Sequence, residues 1–173
     1  MKLAILFSTI LLFLQTGWEE FTSLDGRFRV VAPGYFTEKT DSVITDVGTL
    51  TYHTFFIQTD DKNAENLFYM VSYCDYPEGV IFVDSAELVR EFFQATMETA
   101  AQSVKGVLLY DTDIQLGEYP GKLWRIDYLD GKAVIKTKAY LVNRRYYSLQ
   151  TISYKEKNIN ASADRFFDSF LIL

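Results

Sequence analysis

The sequence predicts an α+β fold in which helices flank a single antiparallel β-sheet. Most of the chain alternates polar and apolar residues with the two-residue period of a strand, and short turns rich in Gly, Asp and Asn separate these segments. One segment, residues 84–103, has helical periodicity instead. Because turns this short can join antiparallel strands but not parallel ones, the pattern predicts one antiparallel sheet.

The composition indicates one globular domain and argues against several classes of function. The chain has 173 residues, of which 49% are hydrophobic and 23% charged. Its net charge of -6 repels a phosphate backbone, so no nucleic-acid partner is expected. One Cys and one His exclude an intramolecular disulfide framework and a Cys/His zinc site, and no motif predicts a cofactor.

The first residues have the layout of a signal peptide. Lys2 gives a positive start, residues 3–14 are almost entirely apolar, and polar residues return from Gln15. This run is shorter than the roughly 20 residues that span a bilayer as a helix, so no permanent membrane span is expected after signal removal. The alternative is a buried N-terminal helix. We expect a signal peptide over residues 1–17, one domain over residues 18–173, and a periplasmic or extracellular protein.

Strands joined by hairpin turns are predicted for the N-terminal half. Asp25-Gly26 separates the segments 18–23 and 27–32, and Gly26 is expected to adopt the positive φ of a tight turn. An antiparallel meander is the simplest arrangement of the strands that follow, predicted over residues 42–46, 50–58 and 67–75.

Residues 84–103 are predicted to form a long helix. Asp84 followed by Glu87 favours a helix start, because a carboxylate there accepts the free N–H groups of the first turn. We expect the apolar side of this helix to cover the sheet, the alternative being a groove for a partner. Its apolar side consists of Val89, Phe92, Phe93, Thr96, Met97 and Ala100.

The C-terminal half returns to the strand period and ends in a short helix. A helix over residues 160–168 would pack Phe166 and Phe167 inward. Short turns separate the predicted strands at residues 107–116, 122–129, 132–142 and 146–154.

Four segments of the chain are similar to a known family. They read WEEFTSLDGRFRV with a following Pro33, GEYPG, RRYY and FFDSF, at residues 18–30, 117–121, 144–147 and 166–170. The pattern resembles the small exported proteins of the PsbP/Mog1-like fold over most of the chain after residue 17. The resemblance implies a central antiparallel sheet between helices, and members that are mostly non-enzymatic: photosystem II accessory subunits, a regulator of a small GTPase, and envelope lipoproteins. The resemblance does not assign a functional role to any residue of this chain.

The C-terminal strands also carry the candidate interaction surface. Tyrosines combine a large contact area with a hydrogen-bonding tip, and here they stand beside basic residues on a sheet that we expect to be partly open. Such a surface would suit an acidic partner, in this case an exported or envelope protein. The residues are Lys136, Lys138, Tyr140, Arg144, Arg145 and Tyr146.

A catalytic alternative depends on the single thiol and the single imidazole. If Gln58 faced Leu67 across its hairpin, His53 would lie diagonal to Cys74 on one face, and a hydrolase with a thiolate–imidazole pair could form. A register change of one residue would separate the two side chains. The preferred interpretation is a buried Cys74 with no catalytic role.

Two site hypotheses have weaker support. Carboxylates at positions 60, 61, 111 and 113 could converge on calcium, but they lack the spacing of a calcium loop. Asn160-Ala161-Ser162 matches a glycosylation acceptor.

The leading hypothesis from the sequence is an exported, non-catalytic accessory or protein-interaction module. The alternative is a small-molecule binding protein with an apolar pocket between the sheet and the long helix.

Overall fold

The computed structural model describes residues 17–80 and 83–173. The predicted signal peptide, residues 1–17, lies outside these residues except for Gly17. The helices are α1 (Ala86–Ser103) and α2 (Ala161–Asp168), with a 3-10 turn at Lys155–Lys157. The strands are β1 (Glu19–Ser23), β2 (Phe28–Ala32), β3 (Thr37–Thr45), β4 (Gly48–Gln58), β5 (Phe68–Asp75), β6 (Val107–Leu116), β7 (Tyr119–Tyr128), β8 (Ala133–Val142), β9 (Arg145–Tyr154) and β10 (Leu171–Ile172).

The described strands form two sheets, which corrects the prediction of a single sheet. The large sheet has seven antiparallel strands in the order β3-β4-β5-β9-β8-β7-β6, and the small sheet has the order β1-β2-β10. The α+β class and the antiparallel pairing are confirmed. A two-residue period identifies a strand but not its neighbours. Here β2 stacks on the large sheet instead of extending it, and its Phe28, Val30 and Ala32 are fully buried.

The small sheet and α2 cover one face of the large sheet. The Phe28 ring lies 5.7 Å from Phe55 and 6.2 Å from Tyr147 of the large sheet, centroid to centroid, and 5.6 Å from Phe170. Phe166 of α2 is fully buried in the same core. Since burying one such side chain contributes about 1.5–3 kcal/mol, this aromatic cluster fixes the small sheet in place.

The opposite face of the large sheet packs against α1. Ser85, not the predicted Asp84, caps this helix, because the Ser85 hydroxyl accepts a 3.4 Å hydrogen bond from the N–H of Leu88. Phe93 and Met97 are buried in the core on this face. Seven strands about 4.8 Å apart span about 29 Å, whereas one helix is only about 10 Å wide. Part of the face beside α1 is therefore left uncovered.

The β1–β2 turn differs from the prediction in its backbone. The residue with positive φ is Arg27, at 52°, and not Gly26. Gly26 is required for a different reason, because a Cβ there would lie 2.6 Å from Cε1 of Phe28 and 2.7 Å from Oγ of Ser23. The turn packs tightly on the core and leaves the Arg27 side chain exposed.

Candidate functional site

The tyrosines of the predicted interaction surface are core residues. Tyr140 and Tyr146 are 5% and 7% exposed and belong to the cores on opposite faces of the large sheet. Burial raises the pKa of Tyr140 to about 12, so its hydroxyl stays neutral at physiological pH. The two rings pack internally and do not share an open face with the basic residues. Their contact with a partner stays an untested prediction.

The lysines of that surface contact α2 and the segment before it. The Lys138 ammonium lies 2.8 Å from an Asp168 carboxylate oxygen and 5.6 Å from the centroid of the Phe167 ring. Lys136 donates a hydrogen bond to the carbonyl of Asn158, and burial lowers the pKa of this lysine. Both lysines are therefore engaged within the chain.

Arg145 lies at the start of β9, where the two sheets meet. Its Nε and Nη2 donate to the two carboxylate oxygens of Asp75 at 2.7 and 2.6 Å, and its Nη1 donates to the carbonyl of Asp25 at 2.8 Å. The guanidinium carbon lies 4.6 Å from the centroid of the Tyr73 ring. Two parallel hydrogen bonds to one carboxylate hold the guanidinium in a fixed orientation.

A cleft of about 320 Å³ opens beside this ion pair, between the β1–β2 and β8–β9 turns. We call it the arginine cleft. It is lined by Arg27, Asp75, Tyr119, Val142, Asn143, Arg144, Arg145, Tyr147, Ile172 and Leu173.

Two positive charges in the arginine cleft have no acidic partner. Arg27 and Arg144 are exposed, and neither forms an ion pair with any residue in the described ranges. Asp75, the single acidic side chain of the lining, is held by Arg145, and this contact lowers the pKa of the Asp75 carboxyl. The cleft is thus locally basic in a chain whose net charge is -6.

Sequence reasoning found two of these arginines and missed the third. Arg144 and Arg145 belong to the predicted surface, whereas Arg27 comes from a hairpin far away in the sequence. The hydrogen bond from Arg145 to Asp25 joins residues 120 positions apart, and it forms only because the small sheet stacks on the large one. No local pattern predicts that packing.

The catalytic alternative depended on a register that the structure does not have. Gln58 pairs with Phe68, and His53 pairs with Tyr73. His53 stacks on the Tyr73 ring at 4.7 Å, on the face covered by the small sheet, whereas Cys74 lies in the core beneath α1. The two side chains therefore point to opposite faces. Burial raises the pKa of the Cys74 thiol to about 11, which leaves it protonated at neutral pH.

Two of the four carboxylates considered for calcium, Asp111 and Asp113, bind a lysine of this chain. The Lys122 ammonium lies 2.6 Å from an Asp111 oxygen and 2.9 Å from an Asp113 oxygen. In the loop before β5, the Asp61 carboxylate accepts a hydrogen bond from the N–H of Asn63 at 2.9 Å. The part of the chain that the structure describes contains no group of three or more side chains placed to hold a metal ion.

Asn160, the residue of the glycosylation motif, serves as the cap of α2. Its side-chain oxygen accepts a 2.7 Å hydrogen bond from the N–H of Ala163, and Asn160 itself is only 9% exposed. Its amide nitrogen donates to Asn66 and to the Lys157 carbonyl. In this fold the side chain is occupied by internal hydrogen bonds.

The architecture defines an α+β class in which an antiparallel sheet is covered by a helix on one face and by a small sheet with a second helix on the other. This is the PsbP-like fold. The solution structure of cyanobacterial PsbP (CyanoP) from Synechocystis sp. PCC 6803 superposes with a TM-score of 0.60, covering 91% of this chain and 94% of that chain at 10% sequence identity. The match confirms the fold that the sequence motifs resemble.

Comparisons of the sequence found no relative: no family model matches the chain, and no curated protein matches it. In the described ranges, neither helix has the length and apolar character needed to cross a membrane.

Proposed function

We propose that this protein is an exported, non-catalytic accessory module that binds an acidic segment of another exported or envelope protein at the arginine cleft. The observation that carries the proposal is the pair of exposed guanidinium groups of Arg27 and Arg144, which form no ion pair with the described residues and lie beside the fixed Arg145.

Guanidinium groups suit this task because their planar N–H donors match the two oxygens of a carboxylate. The Arg145 donors are occupied by Asp75 and by the carbonyl of Asp25. Arg145 therefore contributes by holding the β1–β2 turn, which carries Arg27, against the large sheet. Arg27 and Arg144 project from turns, and within residues 17–80 and 83–173 their side-chain donors form no hydrogen bond, so they can meet a ligand. A partner with Glu or Asp side chains at matching spacing would exchange two hydrated charges for charge-assisted hydrogen bonds.

Two further observations support the accessory role and the exported location. The segment 1–17 has the layout of a signal peptide. The PsbP-like fold agrees with the sequence resemblance, which implies mostly non-enzymatic members. Both the location and the partner class are part of the proposal.

A fluorescein-labelled oligoglutamate peptide tests the cleft directly by fluorescence anisotropy with the full chain. We expect saturable binding that weakens as NaCl is raised, because the screening length shortens from about 10 Å at 0.1 M to about 3 Å at 1 M salt. Replacing Arg144 with Ala should weaken binding about fivefold, which corresponds to about 1 kcal/mol.

The matched control is Arg90→Ala, which removes the same charge from the exposed surface of α1, away from the arginine cleft. Equal effects of the two variants would show that only the net charge matters and would refute the proposed cleft. An oligoglutamine peptide should show no salt-sensitive binding.

A further inference from the structure

A second depression, of about 580 Å³, lies on the opposite face of the large sheet. Strands β4, β5 and β9 form its floor and α1 forms one wall, in the part of the face that the helix leaves uncovered. We call it the α1 groove. Its volume falls within the range of about 300–1,000 Å³ typical of small-molecule sites. The floor and walls include Ser72, Tyr76, Phe92, Ala95, Tyr146 and Ser148.

No charged side chain lines the α1 groove among the residues that the structure describes. This neutrality stands out in a chain of which 23% is charged. The other large depression beside α1 is different, because its lining includes Asp84, Arg90 and Lys122. Burying an ion without a partner costs several kcal/mol, so the α1 groove selects against charged ligands.

Small residues create the free volume of the α1 groove. Ser72 of β5 and Ser148 of β9 pair directly across the sheet and are 6% and 4% exposed. Ala95 faces the groove from α1. Elsewhere beneath the same helix, the corresponding floor is filled by large side chains such as Trp124 and Ile126.

The polar groups of the two walls differ in what they can offer a ligand. On the helix, the hydroxyls of Thr96 and Ser103 donate to the carbonyls of Phe92 and Ala100 at 2.8 Å. On the floor, no hydrogen bond within the described residues uses the hydroxyl of Ser72, although this side chain is more than nine-tenths buried. Since Ser72 lines the groove, its hydroxyl is available to the headgroup of a ligand.

The titratable groups around the α1 groove are neutral at physiological pH. Burial raises the pKa of Tyr76 to about 12, and it raises the pKa values of Tyr52 and Tyr146 as well. Among the lining residues that the structure describes, no cation would hold an acidic headgroup and no carboxylate would hold a basic one.

We infer that the α1 groove binds an uncharged lipophilic molecule with one hydrogen-bonding headgroup, such as a long-chain alcohol, amide or ester. The apolar body lies along Phe92 and Ala95 of α1, and the headgroup reaches the hydroxyls of Ser72 and Ser148. This site is separate from the arginine cleft and lies on the other face of the large sheet.

The neutral dye Nile red, titrated into the full chain, provides a direct test. We expect saturable binding with a rise in fluorescence. Replacing the exposed Ala95 with Trp fills the groove from the helix side and should weaken dye binding at least about tenfold. Gln94→Trp is the matched control, since Gln94 is exposed on the same helix but does not line the groove. Absence of saturable binding, or equal loss in both variants, would overturn the inference.

Competition against bound Nile red tests the ligand class. Dodecanol should displace the dye at a lower concentration than laurate, which has the same chain length and a negative charge, and Ser72→Ala should reduce this preference. Displacement by laurate at equal or lower concentration would refute an uncharged ligand. The variant Arg144→Ala must keep its dye affinity, so a failure of the arginine cleft and a failure of the α1 groove are distinguishable.

Discussion

The hydroxyl of Tyr147 donates a 2.7 Å buried hydrogen bond to the carbonyl of Gly26, and so connects the large sheet to the turn of the small one. Arg145, two residues earlier on β9, makes a parallel connection to the carbonyl of Asp25. The two bonds hold the β1–β2 turn against the end of β9. The position of Arg27 in the arginine cleft depends on this attachment.

Tyr147→Phe should therefore destabilise the protein without changing its packing. The substitution leaves the Gly26 carbonyl buried without its donor, which costs about 1–3 kcal/mol. Urea denaturation followed by tryptophan fluorescence measures the loss. Tyr35→Phe removes a hydroxyl from a side chain that is 84% exposed and should have almost no effect. If both variants lose the same stability, the bond to Gly26 has no special role.

Arg27→Gly separates binding from folding in the arginine cleft. A non-glycine residue at positive φ costs about 1–2 kcal/mol, so Gly at this position should maintain or raise the melting temperature. The same change removes one free guanidinium and should weaken oligoglutamate binding several-fold. A variant that is more stable and binds as tightly as the wild type would exclude Arg27 from the site.

Gly26→Ala should have the opposite effect on stability. The added Cβ would lie 2.6 Å from Cε1 of Phe28, a ring that is fully buried. Such overpacking costs about 1–3 kcal/mol. Thermal unfolding of this variant should be compared with Asp25→Ala, which alters an exposed side chain in the same turn. An unchanged melting temperature for Gly26→Ala would show that the turn can shift away from the core.

The ion pair of Asp75 with Arg145 makes stability depend on pH in acid. Arg145 lowers the pKa of Asp75 below its ordinary value of 3.8. A carboxyl with a lowered folded pKa adds stability that is complete above the unfolded pKa and disappears as the pH falls through the folded pKa. The Asp75 side chain is 44% exposed, so we expect a contribution of about 1 kcal/mol or less.

Unfolding free energies measured from pH 7 to pH 2 would show this contribution. The wild type should lose more stability below about pH 4 than Asp75→Asn does, while Asp46→Asn, at an exposed position, should behave like the wild type. A wild-type profile parallel to that of Asp75→Asn would contradict the predicted role of the pair.

Cys74 should be chemically inert in the folded protein. It is fully buried and its pKa is raised to about 11, so almost no thiolate exists at pH 8. Iodoacetamide should alkylate it slowly in buffer and rapidly in 6 M guanidinium, as measured by intact mass. His53→Ala should leave the native rate unchanged, because His53 lies on the other face of the sheet. A slower alkylation rate in that variant would support the thiol–imidazole pair of the catalytic alternative.

Three strands of the C-terminal half were predicted most closely. The segment 107–116 was predicted with the bounds that β6 has, and those of β8 and β9 differ from the prediction by one residue at one end. The start of β3 was missed, because Thr37, Glu38 and Lys39 are all exposed and show no alternation. Burial does not explain the difference, because β6 is exposed over most of its length as well. The β6 sequence contains several apolar residues, whereas the start of β3 is entirely polar and gives no strand signal.

The sequence predicts some of the residues of the candidate sites but not how these residues are arranged in space. The basic character of Arg144 and Arg145 is visible in the sequence, and so is the apolar side of α1. The proximity of Arg27, the α1 groove and the separation of His53 from Cys74 depend on strand register and on the stacking of two sheets. A register shift of one residue moves every side chain of a strand to the other face, so these features require the tertiary structure.

The strand order of the large sheet also bears on how the protein behaves at high concentration. Within the described part of the chain, β3 and β6 each pair on one side only. Their exposed residues include Lys39 and Asp41 on β3, and Asp111 and Asp113 on β6. Solvated charges on a free edge oppose pairing with the edge of a second molecule. These charges therefore disfavour the growth of the sheet by edge pairing, although the same side chains contribute little to the core.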